Sequence, residues 1–428
     1  MRLSSLFTKT SKDTVADASS KNADLLVRAG YVHKSMAGVY SFLPLGLKVL
    51  QNIAHIVREE MDAIGGQEVL MSALSPRESW EKTGRWDQQA FDALFHVPAA
   101  GEQEYALNPT HEEVVVPLVQ QYVRSYRDLP FACYQIQTKF RNELRVKSGI
   151  LRGREFLMKD LYSFHANAED LDRYYEVVQG AYDKIFARLG LSESTYLTYA
   201  TGGSFSRYSH EYQVLLPEGE DTIYISEEAE KQGKRIAVNA EIFEEGKTAC
   251  PETGGTAFRS VRASEAANIF KLGTKFSQPF GLNFTDAEGA QHLVIMGCYG
   301  IGISRIMGII AEASADSHGL CWPVPIAPAR VHIVPIAKTE KDTAWKQAMQ
   351  LENACAKSGI AALLDDRLDA SVGSRLADAD LLGMPTRVVV SAKSLEQGGV
   401  EIKERTEEKT TVKTVQECVQ SLSGECSK

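Results

Sequence analysis

The chain has 428 residues, enough for two or three domains, and its 44% apolar and 24% charged content is that of an ordinary globular protein. No run of about eighteen apolar residues occurs, which excludes a membrane-spanning helix. The formal net charge of −9 excludes a surface that is basic throughout, but not a local basic patch for nucleic acid.

The first thirty residues lack the apolar core of a signal peptide and mix acids with bases, so a cytoplasmic chain is expected. The seven cysteines (Cys133, Cys250, Cys298, Cys321, Cys355, Cys418 and Cys426) form no CxxC pair. An odd count without a secretion signal predicts reduced thiols and no protein-bound zinc. Leu47, Leu50, Ile53, Val57, Met61 and Ile64 step by three or four, one face of a helix of about five turns. Gly65 and Gly66 stop it, and "QEVLMSAL" then reads as a strand. "FACYQIQTKFRNE" and "REFLMKDLYSFH" read as an antiparallel hairpin around the basic, Gly-containing loop "RVKSGILRG". Asp170 to Leu189 reads as an amphipathic helix. Residues 213–258 are acidic and irregular, which predicts a spacer or small subdomain.

"HLVIMGCYGIGISRIMGIIAE" reads as strand, Gly turn and helix. Pro323, Pro325 and Pro328 mark a break, after which strands and helices alternate as in a separate α/β domain of roughly 100 residues. The expected fold is α+β: a domain over 1–328 with an antiparallel sheet flanked by helices, and an α/β domain over 329–428.

"FRNE" (140–143), "RGREF" (152–156) and "GCYGIGISR" (297–305) occur in that order and resemble motifs 2 and 3 of the class II aminoacyl-tRNA synthetases. "NPTHEE" (108–113), "IFKLGTKFS", "MGCYGIG" and "DDRLDASVGSRLADADLLGMP" resemble bacterial prolyl-tRNA synthetases, and the likeness covers nearly the whole chain apart from 215–258.

The resemblance implies a homodimeric enzyme that activates L-proline with ATP and magnesium and loads it onto tRNA(Pro), with no membrane partner. Such activation needs rigid cations rather than a nucleophile, because phosphate charge and alignment set the barrier. By the same resemblance, Arg141 bridges the substrate carboxylate and the α-phosphate, while Arg152 and Arg305 grip the γ-phosphate end. Phe156 stacks under adenine with Arg305 on its other face, and Glu143 reads the exocyclic amine. Gly297, Gly300 and Gly302 keep the floor bare. Magnesium comes with ATP and meets a carboxylate, with Glu211 the candidate.

Thr110 and Glu112 are implied for the ring nitrogen of proline, and their two-residue spacing faces one side of a strand or turn. Thr110 and Glu113 also read as a capping box for the following helix. Cys298 is implied at the ring pocket, with Phe164 and His165 as walls or plain core. Arg145 and Lys147 are implied for the tRNA acceptor stem, and Arg367, Arg375 and Arg387 for anticodon bases.

Taken singly, each arginine reads as a solvated surface charge and Phe156 as core; only their joint spacing favours a site. The chain departs from the family pattern in four places. Ser72 stands where motif 1, which builds the dimer interface, usually has proline. "TGGSFSRYSHEYQV" carries extra residues around His210 and Glu211. Asn268 replaces a histidine. The short 213–258 stretch cannot hold a large editing insertion, so no clearance of alanyl-tRNA by this chain is expected. The rival readings are another class II synthetase, of threonyl or seryl type, and a catalytically silent relative that binds tRNA.

Overall fold

The structure is a computed structural model that describes residues 1–15, 20–144, 146, 148–201 and 208–424. It forms two compact units, one of residues 36–39 and 54–309, the other of 1–35, 40–53 and 310–428. By packing, the first fifty residues thus group with the C-terminal third, a different partition from the sequence boundary at 328/329. Tyr31 Oη, for example, donates to the Leu382 carbonyl at 2.7 Å.

A nine-stranded sheet builds the first unit. In chain order its strands are β1 (Gly66–Glu68), β2 (Phe131–Phe140), β3 (Glu155–His165), β4 (Thr195–Thr201), β5 (Tyr208–Leu215), β6 (Asp221–Ser226), β7 (Ile236–Asn239), β8 (Phe258–Gly273) and β9 (Ile295–Ile301). Their spatial order is β5-β4-β7-β6-β8-β9-β3-β2-β1, and β5 also pairs with β8. All pairings are antiparallel except β1 with β2 and β7 with β4.

Of the two readings of 213–258, spacer or small subdomain, the irregular spacer does not hold, because the stretch contains β6 and β7. Its strands β6 and β7 close β4, β5 and β8 into a five-stranded ring around Tyr196, Ile223, Ile225, Ala237 and Ala263. Acidic residues hid this, because each strand shows only one apolar face to so small a core.

Helix α1 (Pro44–Ala63) begins with proline at its first turn and ends before Gly65, whose φ of +81° suits only glycine well. Its buried stripe runs through Leu50, Ile53, Val57 and Met61 as expected and is widened by Val49 and Ile56, whereas Leu47 in the first turn is 43% exposed. "QEVLMSAL" is a strand only at its ends. Between them Gln137 holds Met71 in place of a ladder, accepting from its N–H and donating to its carbonyl, both at 3.0 Å. The predicted hairpin is present as β2 and β3, paired from Phe131↔Phe164 to Phe140↔Glu155.

Helix α2 (Glu112–Val119) starts at His111 with no side-chain cap, so the capping box of Thr110 and Glu113 does not form. Helix α3 (Ala168–Arg188), capped by the Asn167 side chain, covers the back of the sheet with Tyr175, Val178, Tyr182, Ile185 and Phe186. Helix α4 (Ile303–Ser314) follows β9 directly.

In the second unit the strands β10 (Val331–Pro335), β11 (Ala362–Leu364), β12 (Thr386–Val390), β13 (Val400–Glu404) and β14 (Thr410–Lys413) lie in the order β11-β10-β12-β13-β14. The first three are parallel, as alternating strands and helices predict. Helices α5 (Thr343–Lys357), α6 (Val372–Leu382) and α7 (Val415–Gly424) complete it. No described helix is long and apolar enough to cross a membrane.

Candidate active site

Strand alternation decides what faces the site. Lys139 and Gln137 of β2, Phe156, Met158, Asp160, Tyr162 and Phe164 of β3, Cys298 and Gly300 of β9, Asn268 of β8 and Glu211 of β5 fall on one face by register. A cleft opens there, lined by Arg141, Glu143, Arg152, Phe156, Gly302 and Arg305, with Met158, Glu265 and Asn268. Two arginines of the β2–β3 connection and one from the start of α4, about 150 residues later, thus meet around one space.

Each arginine is placed by its backbone. Arg141 follows the end of β2, where its N–H donates to the Arg154 carbonyl at 2.8 Å, and its guanidinium lies 5.1 Å from the Phe156 ring centroid. Burial and the neighbouring Arg305 cation push the pKa of Arg141 down. Arg305, in the first turn of α4, donates to the carbonyls of Leu151 and Glu265, both at 2.7 Å. Arg152 pairs with Glu143 at 2.8 Å, so these two members of the set are engaged with each other.

Gly300 is on the floor. A Cβ there would stand 2.6 Å from Met158 Cε and 2.9 Å from Asn268 Oδ1, and Asn268 is itself held by Glu265 at 2.8 Å. Gly297 belongs to the other face, a correction to the expectation. Its Cβ would run into Tyr299 Oη and Ser163 Oγ, so its small size serves packing behind the sheet.

Next to the cleft, Thr110 Oγ1 donates to Glu112 Oε2 at 2.5 Å, and the His111 backbone N–H donates to Tyr162 Oη at 3.0 Å. Buried between them lies a polar chain that sequence reasoning missed. Lys139 Nζ contacts Asp160 Oδ2 at 2.7 Å and His111 Nδ1 at 2.5 Å, and His111 Nε2 meets the Ser72 carbonyl at 3.1 Å. Burial and the lysine cation push the imidazole down to about 3, so His111 is neutral, accepting at Nδ1 and donating from Nε2. Burial would raise the Asp160 carboxyl, but Lys139 outweighs it and holds the pKa below the usual range. A lysine and an aspartate inside otherwise apolar strands were the available signal. Cys298 is buried beside Glu112 and Asp160, and burial pushes its thiol well up.

Other expected residues lie elsewhere. His165 falls on the back face, 1% exposed and bonded through Nδ1 to Asp170 at 2.6 Å, so it is no pocket wall. Odd-numbered β3 residues point away from the site. Phe164 is on the site face but fully buried, stacked on Phe131 at 4.8 Å, and supports the pocket from the core. His210 also faces backward, with Nδ1 at 2.8 Å from Tyr175 Oη.

Arg375 is 1% exposed and donates to the Asp365 carbonyl, which corrects its expected contact with RNA: a side chain so deep reaches no base. Arg367 is engaged by Asp365 and Asp378, and Arg387 by Asp380. Arg145 and Lys147 lie outside the described residues.

Glu211 takes Gln213 Nε2 at 2.9 Å and Asn239 Nδ2 at 3.0 Å on one oxygen. Burial first, and the Glu265 carboxylate next, push its carboxyl up to about 7. Two repelling carboxylates near the arginine-lined cleft have the donor chemistry for a magnesium ion, although the described residues contain no group of three metal-ligating side chains. The pKa implies a test. The folded carboxyl keeps its proton up to about pH 7, while the unfolded one loses it near 4.5. The fold therefore binds more protons in that window and loses stability as pH rises through it. Glu211→Gln should flatten this slope in melting temperatures measured in EDTA; an unchanged slope refutes the assignment.

Residues 95–314 match the class II tRNA synthetase core domain (G, H, P, S and T), and 330–424 match the anticodon binding domain. A proline--tRNA ligase of Anaplasma marginale is 40% identical, covering 95% of this chain and 96% of that protein. One of Bacillus cytotoxicus is 33% identical over 96% of this chain and 98% of its own length. That alignment spans 560 residues, more than this whole chain, so the Bacillus protein has many positions with no counterpart here. Among solved structures, a Cryptosporidium parvum prolyl-tRNA synthetase matches with a TM-score of 0.75 at 18% identity, covering 94% of this chain and 78% of that one. A Giardia lamblia prolyl-tRNA synthetase in complex with prolyl-adenylate matches at 0.74 and 22%, covering 92% and 73%. With an ordered set of class II motifs folded around one cleft and full-length relatives at this identity, the chain belongs to the prolyl-tRNA synthetase family of class II aminoacyl-tRNA synthetases.

Proposed function

We propose that this chain activates L-proline with ATP, forming prolyl-adenylate and pyrophosphate, and then transfers the prolyl group to the 3′ end of tRNA(Pro). The observation that carries this is the meeting of Arg141, Arg152 and Arg305 with Phe156 and Glu143 in one cleft, beside the Thr110–Glu112 pair.

The proline carboxylate attacks the α-phosphorus and pyrophosphate leaves. Arg141, at the junction of the two substrate regions, lowers the repulsion between carboxylate and phosphate. Arg305, fixed by two carbonyls, and Arg152 hold the far phosphates. For Arg152 to do so, its pair with Glu143 opens, which releases Glu143 toward the adenine amine. Phe156 supports the base, and bare Gly300 and Gly302 admit the nucleotide. Magnesium brought by ATP would be held by Glu211 and Glu265 and would neutralise phosphate charge. Glu112, with Thr110, receives the cationic ring nitrogen, and Cys298 bounds the ring.

In this reading residues 1–328 catalyse and 329–428 bind the anticodon, with Arg367 and Arg387 at that surface and Arg145 and Lys147 at the acceptor stem. The chain works as a cytoplasmic homodimer. Retention of all three phosphate arginines argues against a silent relative, and "PTHEE" argues against the threonyl and seryl types.

Amino-acid-dependent ATP–pyrophosphate exchange across all twenty amino acids tests the reading. Proline should support exchange far above every other amino acid. Exchange driven best by threonine or serine, or none with any, would overturn it.

A further inference from the structure

We propose that Arg85 is a positioning residue for the amino-acid site, a guanidinium caged by aromatic rings that clamps one oxygen of Glu112 and so presents the other to the ring nitrogen of proline. The inference rests on reading Glu112 as the partner of that nitrogen.

Arg85 follows the short helix Arg77–Lys82, where its N–H donates to the Trp80 carbonyl at 2.9 Å. Its guanidinium carbon lies 5.2 Å from the Trp80 ring, 4.9 Å from Phe91 and 4.8 Å from Phe276. Rings on several sides favour the cation and leave the side chain little freedom. Its nitrogens are then spent on two adjacent carboxylates. Nε and one terminal nitrogen bond both oxygens of Glu113, and that same terminal nitrogen reaches Glu112 Oε2 at 3.1 Å. Thr83 completes the Glu113 shell at 2.7 Å.

The consequence for Glu112 is asymmetric. Oε2 accepts from Thr110 and from Arg85, whereas Oε1 accepts no hydrogen bond from any described residue. Glu112 is only 5% exposed, so a carboxylate with one free oxygen is an expensive arrangement in water-poor surroundings. It becomes favourable when a cation arrives. Lys139, the other buried cation near Glu112, is already committed to Asp160. The clamp therefore falls to Arg85, and a lysine in its place could not present the same planar fork to two carboxylates.

The test compares two ligands of the same ring size. One is proline; the other is tetrahydrofuran-2-carboxylate, which keeps the ring and carboxylate but has an ether oxygen where proline has its cationic nitrogen. In exchange assays on the full chain, Arg85→Met should raise the KM for proline by about tenfold or more, the scale of a charge-assisted hydrogen bond. The Ki of the ether and the KM of ATP should change little. Arg85→Lys should recover part of the proline loss, and it carries the test if the methionine variant does not fold. Equal weakening of both ligands, or of neither, overturns the positioning role. Glu112→Gln separates the two claims. If it does not discriminate between the ligands, the reading of Glu112 itself fails. If it does and the Arg85 variants do not, only Arg85 is misassigned.

Discussion

Replacing Arg141 with alanine lowers proline-dependent pyrophosphate exchange by on the order of a hundredfold or more, the cost of deleting one preorganised charge donor at a reacting centre. The loss should appear mainly in kcat/KM for both substrates, because the proposed role sets the guanidinium between the amino acid and the phosphates. It should not be a loss of fold. Burial and the neighbouring Arg305 cation both oppose the charge on Arg141. Removing the Arg141 cation relieves the repulsion and gives up a ring contact with Phe156, a weak contact with Met158 sulfur and attraction to the Glu265, Asp160 and Glu143 carboxylates. A melting temperature near wild type with exchange down by that factor is the expected pair of results. Exchange near wild type would show that the phosphates lie elsewhere. Arg141→Lys should remain strongly impaired, since an ammonium cannot bond two oxygens in one plane.

How much of this was legible in the chain depends on the kind of residue. Arg141, Arg152, Phe156, Gly302 and Arg305 were found because motif spacing marks them and the structure gathers them in one cleft. The antiparallel hairpin was legible too, as two aromatic and β-branched runs flank a Gly-containing basic loop, although its register was not. Which face a residue occupies was not read from the motifs, although parity carries it. Gly297 and His165 sit in motif-like strings yet point backward. Arg375 shows the limit of reading charge as surface: Asp365 stands ten positions earlier, and only the fold brings the two together at 3.3 Å. The strands within 213–258 were missed for a related reason. Their apolar face is short, and the ring they close depends on β5 pairing with both β4 and β8. Arg85 was invisible because its meaning lies in Trp80, Phe91, Phe276 and two glutamates from three parts of the chain.

The Lys139–Asp160 pair, to which the sequence reading attached no role, carries the other large effect. Both side chains are almost completely buried, and their contact at 2.7 Å is the main compensation for two charges taken out of water. A buried pair contributes little beyond an apolar pair of the same volume, but one partner left alone is costly. Lys139→Met should therefore destabilise the unfolding transition by about 3–5 kcal/mol. Asp160 then has Tyr162 Oη at 3.4 Å and the more distant Arg141 to support its charge. Its carboxyl pKa rises above the unfolded value, so the folded variant holds a proton that the unfolded chain releases. The variant is accordingly least impaired at low pH, and the deficit grows as pH rises through the ordinary carboxylate range. Asp160→Asn added to Lys139→Met removes the orphaned charge and should restore most of the loss, together with its pH dependence. Urea unfolding of the single and double variants at two pH values decides the matter. If the double variant were no more stable than the single, the loss would come from packing around the lysine stem, and the ion pair would not be what holds the floor beneath Gly300.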